Sequence, residues 1–179
     1  LRIRGSSGKV NLALNGLPDF TCLPGKGHHL HGAISISPSM DYLEKAYDDA
    51  KYGNFSESPY MDIIIPSLLD PDMAPPGKHV MSCFVQYAPY NINGGWDDNK
   101  REAFGDAVIK ALARFAPNIE DIIIHRQVLT PADLEETFGS FAIGYWLGCG
   151  LQKRVHLHVR CSNSCHYGQG RGIRTWTRR

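Results

Sequence analysis

Forty consecutive residues, 140–179, contain neither aspartate nor glutamate. They hold 7 of the 19 Lys and Arg, while residues 1–139 hold the other 12 and all 18 acids, so a net charge of +7 follows one of −6. The overall charge of +1 therefore conceals an acidic body and a basic tail. Long apolar runs are also lacking. The longest, Phe141–Leu151, falls short of the roughly 20 residues that a membrane-spanning helix needs, which excludes one. Leu1–Gly8 has no apolar segment of the signal-peptide kind, and the chain does not open on methionine, so it reads as a piece of something longer. Cysteine is sparse and odd in number, five residues without the spacing of a disulfide framework, which points to a reducing compartment. The expected location is cytoplasmic, with the mitochondrial matrix as the alternative.

Nucleotide-binding loops are missing as well. Gly5-Ser-Ser-Gly8-Lys9-Val10 is too short for a triphosphate loop and has Val where a magnesium-binding hydroxyl belongs. Gly168-Gln-Gly170-Arg-Gly172 lacks the final spacing of a dinucleotide fingerprint.

What is present is an ordinary globular body. With 179 residues, 42% hydrophobic and 21% charged, the chain can bury one core. Lys9–Leu14 alternates as a short strand, Leu17–His28 is a Pro- and Gly-rich loop, and Leu30–Ser37 resumes a strand. Ser39 caps a helix that Gly53 closes, with Met40, Leu43, Tyr47 and Ala50 as its apolar stripe. Two strands follow, Tyr60–Ile65 and His79–Tyr87, separated by a proline-rich connection. Asp97 caps a helix running to about Phe115. Asp121–Val128 is a strand, and Thr130-Pro131 starts a last helix that runs out near Gly139.

From Leu30 to Val128 the order is β-α-β-β-α-β, an α+β fold. A split-βαβ arrangement predicts a mixed, mainly antiparallel sheet with both helices on one face. In the strand His79–Tyr87, Met81, Cys83, Val85 and Tyr87 suit a covering helix; Val80, Ser82, Phe84 and Gln86 mix apolar and polar groups, as a ligand wall does. The same parity assigns His31, Ser35, Asp62, Ser82, Phe84 and Gln86 to the free side as substrate-binding residues, in the register assumed here. That side is expected to form half of a cavity whose other half lies outside this polypeptide.

Other chemistries fit less well. No nucleophile–base pair is readable, so no catalytic residue is assigned. His156, His158, Cys161 and Cys165 are suitable zinc ligands, but their spacing matches no common structural zinc site, and no metal ligand is assigned. The tail's seven positive charges, with Tyr167 and Trp176, suit nucleic acid, which the acidic body opposes. Two rival readings follow: a non-enzymatic α+β binding or assembly module, and a basic-tailed nucleic-acid or zinc protein.

The segment Ser67-Leu-Leu-Asp-Pro-Asp-Met-Ala-Pro-Pro-Gly-Lys-His-Val-Met-Ser-Cys-Phe-Val-Gln-Tyr-Ala-Pro-Tyr90 resembles phytoene-dehydrogenase-like flavoproteins, in the branch of pyridine nucleotide-disulphide oxidoreductase domain-containing protein 2. Lys9–Phe20 and Leu129–Gly139 resemble the same family in the same order, so the similarity covers about residues 7–139. The resemblance implies an FAD-dependent oxidoreductase of the amine-oxidase-like superfamily acting on an organic, often hydrophobic, substrate. It assigns residues 1–139 to an incomplete substrate-side domain, and 140–179 to a basic Cys-, His- and Gly-rich tail, non-native or disordered. The dinucleotide fingerprint is absent, so no residue here is expected to bind FAD. The partner implied is the missing flavin-binding domain, and the isolated chain is expected to be inactive.

Overall fold

The computed structural model describes residues 7–138 and 159–160. Five strands pair antiparallel with one another: β1 (Ser7–Leu14), β2 (Ile34–Ile36), β3 (Tyr60–Ile64), β4 (His79–Gln86) and β5 (Ile123–Leu129). A two-residue strand, β6 (Val159–Arg160), pairs in parallel with β2 and makes the sheet mixed. The helices are α1 (Met40–Lys51), α2 (Asp98–Ala113), a single turn α3 (Ile119–Ile122) and α4 (Pro131–Phe138). The fold is α+β, as the element order implies.

The order across the sheet is β5-β1-β4-β3-β2-β6, and it departs from the split-βαβ expectation in one respect. The central strand between β5 and β4 is β1, whereas β2 lies beside β3 and antiparallel to it. Length decides this. The eight residues of β1 can serve two ladders at once, and its alternate side chains Val10, Leu12 and Leu14 are buried. Three-residue β2 is too short to span eight-residue β4 and seven-residue β5. Its expected start also fails, since His28–His31 forms a 3-10 turn after Gly27 rather than strand.

One face of the sheet carries the core. Val10, Leu12 and Leu14 meet Met61, Ile63, Met81, Cys83 and Val85 there, under Phe104, Val108 and Leu112 of α2. Tyr42 of α1 packs against the same cluster and donates its hydroxyl to the Pro59 carbonyl at 2.9 Å, so both long helices lie on that side. Burial pushes the Tyr42 phenol up to about 12, against the opposing pull of Arg114. Cys83, a free thiol, is likewise raised to about 12 by burial. Cys22 is disulfide-bonded, counter to the reading from cysteine spacing.

The caps are where the sequence placed them. The Ser39 side chain accepts from the Tyr42 N–H at 3.1 Å and Asp97 from the Lys100 N–H at 2.7 Å. The stripe of α1 is not. Met40 is 75% and Tyr47 52% exposed, and the side chain buried from this helix is Ala46. Tyr47 instead sets its ring edge-on to Tyr87 at 5.4 Å. Ile124 is exposed because the β1–β5 register shifts between Ala13 and Leu14, pairing them with His125 and Ile123 and leaving Ile124 out of the ladder.

Candidate functional site: the open face of the sheet

Strand parity delivers a second set of side chains to the face opposite the helices. Pairing in register lines them up in rows. One row reads Leu129, Lys9, Phe84, Asp62, Ser35 across β5, β1, β4, β3 and β2. The next reads Gln127, Asn11, Ser82, Ile64, and another Ser7, Gln86, Tyr60. None of these residues belongs to the core cluster.

Most of the polar groups in these rows bond to one another. Asn11 donates its amide to Gln127 at 3.0 Å and accepts the Ser82 hydroxyl at 2.9 Å, a chain spanning three strands. Gln86 donates to Ser7 at 3.4 Å. Ser35, itself buried, donates its hydroxyl to the Asp62 carboxylate directly across the β2–β3 pair. Tyr60, two residues along β3 from Asp62, has its phenol raised to about 12, first by burial and then by its hydrogen bond to Asp62. This face thus offers a fixed pattern of hydrogen-bonding groups beside the half-buried ring of Phe84. Such a surface can orient an organic molecule lying flat on it.

Of the six residues assigned to this face from the sequence, the sheet brings Ser35, Asp62, Ser82, Phe84 and Gln86 to one side. His31 is not among them. It sits exposed in the 3-10 turn before β2, 6.0 Å ring to ring from His28, because the strand begins only at Ile34. Lys9, Asn11, Tyr60 and Gln127 were missed. The signal for Lys9 and Asn11 was present, since placing Val10, Leu12 and Leu14 inward turns Lys9 and Asn11 outward. It went unused because β1 stood outside the assumed four-strand core.

Among the described residues no cluster of His, Cys, Asp and Glu could hold a metal ion. His156, His158, Cys161 and Cys165 lie outside the described residues, as do Tyr167 and Trp176. A Ser67–His79 contact of 3.2 Å lies on the other side of the sheet, where Ser67 also accepts the Val80 N–H at 3.1 Å and so ties the β3–β4 connection to its strand. Burial and nearby Lys26 hold the His79 imidazole below its ordinary value.

The described residues do not fit the pyrophosphate of a dinucleotide. That group needs a parallel strand leading through glycines into a helix N-terminus, whereas β1–β5 pair with one another only antiparallel. Gly94 and Gly95 do precede α2, but the α2 N-terminus is occupied by its own Asp97 cap and followed by Asp98, two carboxylates where an anion would sit. Among the described residues no helix is long and apolar enough to cross a membrane.

Comparison with known proteins adds relatives of this chain. A rat protein (Rattus norvegicus) is 39% identical over 139 residues, and a mouse protein (Mus musculus) 37% identical over 138. Both are named pyridine nucleotide-disulfide oxidoreductase domain-containing protein 2. This chain is homologous to part of that protein. Each match takes in 73% of the chain and 24% of the relative, so the chain spans about a quarter of the length of the curated relatives it matches. No protein-family model matches the chain.

Proposed function

We propose that this chain is the substrate-side part of an FAD-dependent oxidoreductase of the phytoene-dehydrogenase-like kind, acting on an organic, often hydrophobic, substrate. The observation that carries the reading is the division of labour between the two faces of the sheet. One is sealed by α1 and α2; the other presents Tyr60, Asp62, Ser82, Phe84 and Gln86 in register. The printed names of the relatives support the oxidoreductase class. In this class the cofactor carries the redox chemistry and the protein positions the substrate. Because the described residues do not fit FAD, the flavin belongs to a partner domain of the same protein, and this chain alone is inactive. Its own residues then bind and orient: Phe84 supplies apolar contact, and Ser82, Gln86 and the Tyr60–Asp62–Ser35 group fix polar atoms.

The test is a titration of the purified chain with a panel of apolar organic compounds, followed by backbone amide shifts. Perturbation centred on Tyr60–Ile64 and Ser82–Gln86 is expected, from a preparation without flavin absorbance. Binding confined to the helix-covered side, or tight flavin in the isolated chain, would overturn the assignment.

A further inference from the structure

The polar side chains of the open face satisfy one another, apart from Lys9 and the exposed His125 opposite Ala13 on β5. Asn11, Ser82 and Gln127 form one chain, Gln86 meets Ser7, and Asp62 takes Ser35. The Lys9 ammonium makes no hydrogen bond and no ion pair among the described residues. It is also the only Lys or Arg that β1–β5 turn to this face, because Arg126 sits opposite Leu12 and reaches Glu102 and Asp106 of α2 on the other side. Lys9 is half-buried, and its cross-strand neighbours are apolar on both flanks, Phe84 on β4 and Leu129 on β5. The acid of its row, Asp62, lies beyond Phe84. Two strand spacings, about 10 Å, separate their backbones, and Ser35 already engages the carboxylate. The stem of such a lysine lies along apolar surface while its ammonium, with three donors and no protein acceptor, stays at the surface to take an external anion.

Resting on the substrate-side reading above, we propose that Lys9 anchors the carboxylate of an amphipathic organic acid whose apolar part lies over Phe84 and Leu129. Lys9, the one Lys or Arg that β1–β5 place on this face, balances one negative charge. That stoichiometry suits a monoanionic carboxylate rather than a phosphate, which favours several donors or a bidentate arginine. Asn11 and Ser82, committed to each other in the adjacent row, leave the head group to Lys9 alone.

The experiment compares octanoate with 1-octanol, titrated into the full chain and followed by the amide shifts of β1 and β4. Octanoate should bind about tenfold more tightly at low salt, as one charge-assisted contact allows. Added salt should erode that preference while leaving octanol unaffected. Lys9→Met keeps the aliphatic stem and should abolish the preference, whereas Lys110→Met on the exposed side of α2 should retain it. If Lys9→Met does not fold, Lys9→Gln and the salt dependence of the unmodified chain decide the same question. Equal binding of acid and alcohol on this face overturns the Lys9 anchor and leaves the substrate-side reading standing. Absence of any shift on this face removes both.

Discussion

The Ser35 hydroxyl donates to the Asp62 carboxylate across a directly opposed β2–β3 pair, and Ser35 is buried while doing so. A charge-assisted bond between β2 and β3 gives that end of the sheet a fixed polar corner. Ser35→Ala should cost about 1.5–3 kcal/mol, the range for hydrogen bonds to charged groups. Urea denaturation of the two proteins measures this directly, and a loss of a few tenths would mean that water replaces the hydroxyl at no cost.

The Tyr60 phenol extends that corner and makes it sensitive to alkali. Burial, then the Asp62 hydrogen bond, raises its pKa from 10.0 to about 12. A raised folded-state value means the neutral phenol is favoured in the native protein. Its stabilising contribution is therefore complete below pH 10 and lost as pH rises towards 12. Tyr42, also raised to about 12 by burial, adds to the same window. Ultraviolet titration should show both phenols ionising late, and Asp62→Asn should bring Tyr60 part of the way down, since burial remains.

The start of α4 responds to acid instead. Asp133 accepts from the Thr130 N–H at 2.8 Å and its hydroxyl at 2.7 Å, and pairs with Arg101 at 2.8 Å. Burial works against ionisation here, but the Thr130 bonds and Arg101 outweigh it and hold the carboxyl below 3.8. A depressed value contributes stability above pH 3.8 that disappears as pH falls through the folded-state pKa. Asp133→Ala should cost about 1–2 kcal/mol at neutral pH, with the difference from the parent shrinking on acidification in a pH series of melts.

Two glycines record how closely α2 lies on the sheet. A Cβ at Gly8 would stand 2.8 Å from Cε1 of Phe104, a ring with no room to retreat because it is itself fully buried. At Gly105 it would stand 2.7 Å from Cγ2 of Val128. Gly8→Ala and Gly105→Ala should each destabilise by about 1–3 kcal/mol through overpacking. Thermal melts test this, and an unchanged midpoint would show that the helix can ride outwards.

The two faces of β4 should answer differently to truncation. Met81→Ala removes a side chain with no exposure and should cost about 2–5 kcal/mol. Phe84→Ala, on the half-buried open face, should cost about 1–2 kcal/mol while removing most of the affinity for apolar ligands. Chemical denaturation and ligand titration on the same pair of variants separate the two effects.

Features set by local chemistry were readable in advance. Ser39, Asp97 and Thr130 cap helices because their side chains meet N–H groups three residues on. The inward parity of Met81, Cys83 and Val85 followed from alternation alone. Features set by distant neighbours were not readable. The stripe Met40–Leu43–Tyr47 looks like a core face, yet α1 is rotated so that Tyr42 reaches Pro59 and Ala46 turns inward. His31 lost its strand to a turn after Gly27, and β1 took the central place assumed for β2. A four-strand template hid Lys9 and Asn11, although their own alternation was plain.

The position of β1 has a consequence for how this protein is made. Its contacts reach partners 71 residues later at Ser82 and 116 later at Gln127. During synthesis, the segment Val10–Leu14 therefore waits, apolar and unpaired, until β4 and then β5 emerge, while β2, β3 and β4 can zip locally. Closure of β1 by the distant β5 makes assembly slow relative to a local meander and leaves a nascent edge open to misassociation. Polypeptides released before Leu129 would carry that edge uncovered and become clients for chaperones.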